Sequence, residues 1–168
     1  MIRCYKLILC SLGAISVSAF AGTGVTYETA APQSNAITTD GMAGISVGMT
    51  RRQIAHLLKE HINFGCFETN FGFVSIDDRG IVELVQTSSS RLSTLSGARV
   101  GMSDRALRGL YPRRLERTGT PNDTATTSWS YWYYSSSGNG IRFSMRSGRI
   151  ADITAGRRDA ITRASFCS

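Results

Sequence analysis

The chain has 168 residues, a formal net charge of +7 and 42% hydrophobic residues, with 17 glycines and three prolines. That length is enough for one domain, or two small ones, to bury a core without staples. The basic excess raises nucleic acid as a partner, yet the arginines are scattered in sequence and no basic run or RNA-binding motif accompanies them, so that class is set aside.

The N-terminus reads as an export signal. Arg3 and Lys6 precede a stretch of apolar and small residues from Leu7 to Phe20, and Ala19-Phe20-Ala21 is an A-x-A cleavage site. The apolar run is short for a membrane span, and Leu9 is not the small residue that lipid attachment at Cys10 requires. Residues 1–21 are expected to be a signal peptide, and the mature chain to have no transmembrane segment. That mature chain keeps 17 basic and 12 acidic residues, and Lys59 is its one lysine. Export implies a periplasmic or secreted protein. Two cysteines remain, Cys66 and Cys167, and an even pair in an oxidising compartment reads as a disulfide. Closing a loop of about 100 residues, it is worth roughly 4–5 kcal/mol in the chain-entropy model.

Residues 22–36 are rich in Gly, Thr, Ala and Pro and read as a flexible lead-in. A short strand at Ile37-Thr38-Thr39 turns at Asp40-Gly41. Thr50 is a helix N-cap candidate with Gln53 in the capping-box position, and Ile54, Leu57 and Leu58 make one apolar stripe. Strands are expected over Phe71–Ile76 and Ile81–Val85, joined by a turn at Asp77–Gly80. After a polar connector, Ser103 caps a second helix with Leu107, Leu110 and Tyr111 as its stripe, and Pro112 limits it. Strands are then expected over Ser128–Tyr134, Ile141–Met145 and Arg149–Thr154, with Ser147-Gly148 turning the last two. In that middle strand Ile141, Phe143 and Met145 alternate with Arg142 and Ser144, the pattern of a half-buried antiparallel strand.

Two stretches repeat one phrase: GISVGMTRRQIAHLL, from Gly44 to Leu58, and GARVGMSDRALRGLY, from Gly97 to Tyr111. Each heads a helix that strands follow. Gly48 and Gly101 permit a tight turn or a close backbone approach before the cap, and Met49 and Met102 read as equivalent core fillers. The expected fold is α+β: two helix-plus-antiparallel-sheet repeats, 37–96 and 97–168, that shield each other's apolar faces. The glycine spacing and the missing lysine fit no phosphate-binding loop.

The G-x-x-V-G-M-[ST] phrase heading a helix twice in an exported chain resembles two related groups. These are the tandem-repeat beta-lactamase inhibitory proteins and the outer-membrane assembly lipoproteins of the BamE (SmpA/OmlA) type. The chain is also similar to uncharacterised secreted bacterial proteins with an I-T-x-x-G lead, here Ile37 to Gly41. They share an ending matched by Gly140 to Gly156 and a terminal cysteine, here Cys167. The inhibitory proteins carry a cysteine pair within each repeat, whereas this chain has Cys66 in the first and Cys167 at the far end. The resemblance implies a protein-binding role, as an inhibitor of, or immunity protein against, an envelope-acting enzyme; the alternative it implies is a structural envelope-assembly factor.

Catalytic chemistry finds few candidates. His56 and His61 are five apart and do not share a helix face, and Asp77 and Asp78 sit in an expected turn, where Asp is ordinary. No metal cluster or cofactor is expected, and the many serines lack a nucleophile-elbow context. A non-catalytic reading follows. The run WSYWYY, Trp129 to Tyr134, carries aromatics on both faces of a strand. Trp129, Tyr131 and Tyr133 are assigned to the core, which turns Trp132 and Tyr134 outward beside Arg142 and Arg146 of the next strand. These four are expected to form the partner site, since Trp, Tyr and Arg are the types enriched in binding hot spots. Asn122-Asp123-Thr124 matches a glycosylation sequon, discounted because the chain looks bacterial.

Overall fold

Three two- or three-residue strands come first: β1 (Ala36–Thr38), β2 (Gly41–Met42) and β3 (Ile45–Ser46). They belong to a computed structural model that describes residues 35–63, 65–118 and 128–163. The signal segment, most of the lead-in, the sequon and Cys167 lie outside the described residues. Helix α1 (Arg51–Ile54) tightens into a 3-10 turn at Ala55–Leu57. Then come β4 (His61–Asn63), β5 (Cys66–Glu68), β6 (Gly72–Ile76), β7 (Val82–Thr87) and β8 (Ser93–Thr94). Helix α2 (Asp104–Leu110) leads to β9 (Glu116–Thr118), β10 (Ser128–Tyr134), β11 (Asn139–Arg146), β12 (Arg149–Arg157) and α3 (Arg158–Ile161).

The expected α+β fold of two helix-plus-antiparallel-sheet repeats is overturned: the protein is mostly β. Eight strands form one antiparallel sheet in the order β4-β5-β6-β7-β12-β11-β10-β9, and four short strands form a second, β3-β2-β1-β8. The join between the two halves explains the difference. Thr87 to Leu84 of β7 pair with Ile153 to Gly156 of β12, so the later strands extend the earlier sheet instead of building their own. The helices are too short to form a layer. In the first phrase the stripe Ile54, Leu57, Leu58 does not stay helical, because the chain beyond it joins the sheet. Leu58 is extended, Lys59 N–H donates to the Glu68 carbonyl at 2.8 Å, and Glu68 N–H donates to the Glu60 carbonyl at 2.8 Å. Ladder bonds win over helical propensity there.

The two phrases nevertheless make the same local bonds. Gly48 and Gly101 both sit at φ +87°. Their N–H groups donate to the carbonyls of Val82 (2.9 Å) and Ile150 (2.8 Å). In return Val82 N–H donates to Met49 O at 2.8 Å and Ile150 N–H to Met102 O at 2.9 Å. Each phrase thus grips the first residues of a strand just past a hairpin turn, and its helix starts over that turn. Ile54 and Leu107 then drop into the core. Met49 and Met102 occupy equivalent places, half-buried against that core rather than inside it.

The inner face of the large sheet carries the main core. Ile141, Phe143 and Met145 of β11 lie there, with Tyr131 buried and Trp129 and Tyr133 partly so. The small sheet adds Ile37, Met42 and Ile45 to it. The outer face has a smaller apolar cluster of Leu84, Trp132, Ala160 and Ile161, which seats α3. Two paired glycines make room for it. Gly140 faces Gly156 across the ladder, and a Cβ at Gly140 would lie 2.7 Å from the Tyr134 ring and 3.1 Å from Ile161. Among the described residues no helix is long and apolar enough to cross a membrane.

Candidate functional site

The outer face of β10 and β11 is set by their antiparallel register: Ser128 opposite Arg146, Ser130 opposite Ser144, Trp132 opposite Arg142. Cross-strand partners project to the same side, so the alternation that buries Phe143 turns Arg142, Ser144 and Arg146 outward. Thr118 of β9 pairs with Ser130, and Asp152 of β12 with Ser144, which widens the same row. Together Thr118, Ser128, Ser130, Ser144, Arg142 and Arg146 line an open groove of about 370 Å³ with Asp152 on its far side.

All four residues of the expected partner site lie toward this outer face, but in different settings. Trp132 is only 6% exposed. It packs with Ala160 and Ile161 of α3, its Nε1–H donates to Thr118 Oγ1 at 2.6 Å, and the Arg142 guanidinium lies 5.2 Å from its ring. Helix α3 therefore covers Trp132, and its ring is packed under the helix instead of standing open as the partner-site expectation had it. A Trp132→Ala change would open a cavity under α3, so it reports on stability more than on binding. Tyr134 is half-buried beside it, with ring planes 15° apart and Arg158 4.2 Å from its ring; burial raises its hydroxyl above the ordinary tyrosine value.

Arg142 and Arg146 line the groove itself. Arg142 Nε donates to Ser130 Oγ at 3.2 Å, and its Nη1 donates to the Arg163 carbonyl at 3.2 Å, so one side chain both edges the groove and holds the end of α3. Arg146 is exposed at the hairpin end. Chemically, two guanidinium groups beside a row of hydroxyls are suited to carboxylates through charge-assisted bonds, and Asp152 places one acid at the edge of the groove. The hydroxyls were readable from the same period-two alternation that located the arginines. The cover was not, because α3 is four residues and shows no helical period.

The end of α3 is tied to the sheet by a buried acid. Glu83 pairs with Arg163 at 2.5 Å and accepts from Ser75 Oγ at 2.9 Å. Ser75 is the ladder partner of Cys66, which is buried on β5. Elsewhere, the His61 ring lies 4.8 Å from that of Phe67, and Asp77 organises the β6–β7 turn. Among the described residues no group of three or more His, Cys, Asp or Glu side chains could hold a metal ion.

Comparison with family models, curated proteins and solved structures finds no match for the chain.

Proposed function

We propose that the protein is an exported, non-catalytic protein-binding module, and that its contact surface is the Arg142–Arg146 groove. The observation that carries this reading is the pairing of two outward guanidinium groups with a hydroxyl row on a sheet whose other face is a packed core. A rigid platform of that kind presents its side chains with little loss of freedom on binding. The partner offers carboxylates to the groove. Following the resemblance, it is an envelope-acting enzyme that the module inhibits or neutralises.

A disulfide between Cys66 and Cys167 belongs to the same proposal. Arg163 is held beside Ser75 through Glu83, and Cys167 stands only four positions beyond Arg163. An extended chain of that length reaches roughly 13–14 Å, and Ser75 neighbours Cys66 on the adjoining strand. Non-reducing peptide mapping of the exported protein should recover the two cysteines linked; free alkylation of both in the native protein would remove the bond from the proposal.

The binding test is capture from an envelope extract with the mature protein as bait, read by mass spectrometry. The supporting result is a protein held by wild type and by an Arg52→Gln control but released by Arg146→Ala, with a loss of about 2 kcal/mol or more in titration if Arg146 is a hot spot. Arg146 is the cleaner probe, because Arg142 also holds α3. Equal capture by all three baits would move the contact off the groove.

A further inference from the structure

The arginines are unevenly divided between the two halves of the chain. Residues 97–168 hold twelve arginines against five acids, whereas residues 22–96 hold five basic residues against seven acids. Five of those twelve, Arg105, Arg108, Arg113, Arg114 and Arg117, fall on one short stretch, and all five are exposed.

That stretch closes on itself. Its inner side is apolar: Leu107 and Tyr111 are buried and Leu115 packs against the core. Tyr111 is further tied by its hydroxyl, which donates to Thr94 Oγ1 at 2.8 Å. The large sheet holds both ends: Asp104 N–H donates to the Gly148 carbonyl at 2.9 Å, and Arg117 pairs with Tyr131 across β9 and β10. Arg117 also lies 5.2 Å from the Trp129 ring. With apolar side chains holding the inside and both ends pinned, the guanidinium groups are left on the outside of one loop. Arg108 pairs with Asp104 at 2.9 Å. Arg105, Arg113 and Arg114 have no ion pair among the described residues.

Arg113 adds a second observation. Its φ is +60°, in the left-handed region that an L side chain other than Asn, Asp or Gly rarely adopts. Holding an arginine there is strained, and strain kept at a surface position motivates a functional reading.

We infer that the Arg105–Arg117 loop is a docking surface for an acidic protein segment. Planar guanidinium groups suit carboxylates because two N–H groups meet two oxygens. Asp104 and Glu116 sit within the same loop, so its charge is patterned. A uniformly anionic surface, such as a lipid headgroup plane or a phosphodiester backbone, would meet those two acids with repulsion, while a peptide can space its carboxylates between them. The inference does not depend on the groove: the two surfaces use different arginines and either can fail alone.

The test measures fluorescence anisotropy of a labelled peptide of about ten residues, alternating Glu and Ser, with the mature protein at low salt. Vesicles containing phosphatidylglycerol and a short DNA duplex are the competing probes. Arg105→Gln with Arg114→Gln should weaken peptide binding by about tenfold, and Arg52→Gln with Lys59→Gln, an equal charge change on and just past the first phrase, by less than about twofold. Arg113→Asn should weaken binding by about threefold while leaving the melting temperature unchanged or higher, because asparagine tolerates the left-handed backbone. Equal loss in both double variants, absence of peptide binding by wild type, or tighter binding to the vesicles or the duplex would overturn the inference.

Discussion

Gly44–Leu58 and Gly97–Tyr111 use one backbone device for two different surfaces. In each, a glycine at φ +87° lets the chain pair with the strand beyond a hairpin turn, and the next N–H but two, from Arg51 or Asp104, donates to the turn glycine, Gly80 at 2.8 Å or Gly148 at 2.9 Å. The differences begin immediately outside that grip. The first helix stops after Ile54 because its chain is drawn into β4. The second runs to Leu110 and adds the buried Tyr111. The first turn, Asp77–Gly80, is organised by a carboxylate. Asp77 Oδ1 accepts from Arg79 N–H at 3.0 Å and Ile81 N–H at 2.9 Å. The second needs no such side chain, since Ser147 (φ 49°) and Gly148 (φ 74°) fit the mirror-image two-residue hairpin turn that matches strand twist. Most shared residues set the backbone or pack on the core, although Arg52 and Arg105 are shared and exposed; the other surface residues have diverged while the net charge of each phrase stays at +2.

The sharpest way to break the equivalence is at the two plugs. Ile54→Ala and Leu107→Ala should each destabilise the protein by about 2–5 kcal/mol. Leu107→Ala should lie at the upper end, since its longer helix and Tyr111 leave less freedom to collapse the cavity. Chemical denaturation decides it: an Ile54→Ala loss larger than that of Leu107→Ala would mean that the short first helix is the better-packed one.

The caps offer a smaller contrast. Thr50 and Ser103 both accept from the third helical N–H, but only Thr50 has the reciprocal partner, with Gln53 Oε1 accepting from Thr50 N–H at 2.8 Å. In the second phrase Ala106 stands where Gln53 does. Thr50→Ala and Ser103→Ala should each cost about 1 kcal/mol, while Gln53→Ala should be destabilising and Ala106→Gln stabilising, by a few tenths. Thermal melts of the four variants would show whether the missing box matters.

The smallest effect is a pH response confined to the turn that the first phrase grips. The Ile81 N–H, and then the Arg79 side chain, hold the Asp77 carboxyl below the ordinary aspartate range against the opposing effect of burial. A lowered folded-state value means that the contribution of this carboxylate is complete above the unfolded value of about 3.9 and is lost as pH falls through the lower, folded value. Amide protection at Ile81 should therefore fall below about pH 4, relative to Ile150, whose turn contains no carboxylate. Parallel loss at both amides would trace the effect to global unfolding.

Much of the local structure was legible in the residues. The caps at Thr50 and Ser103, the turns at Asp77–Gly80 and Ser147-Gly148, and the alternation of Ile141, Phe143 and Met145 each depend on neighbours a few positions away. So does the outward direction of Arg142 and Arg146, which follows from the same alternation. Four things were decided only by the tertiary structure. The strands of both halves join at β7 and β12, because two sheet edges with compatible patterns satisfy more backbone bonds together than apart. The first helix ends early, because Lys59 and Glu60 find ladder partners at Glu68. Trp132 is covered, because α3 returns to a patch opened by Gly140 and Gly156, and a four-residue helix carries no periodic signal. Each arginine from Arg105 to Arg117 is left exposed, because Leu107, Tyr111 and Leu115 hold the inside of their loop and the large sheet holds its ends. Short-range preferences are written in adjacent residues; which surface remains open depends on contacts between residues far apart in the chain.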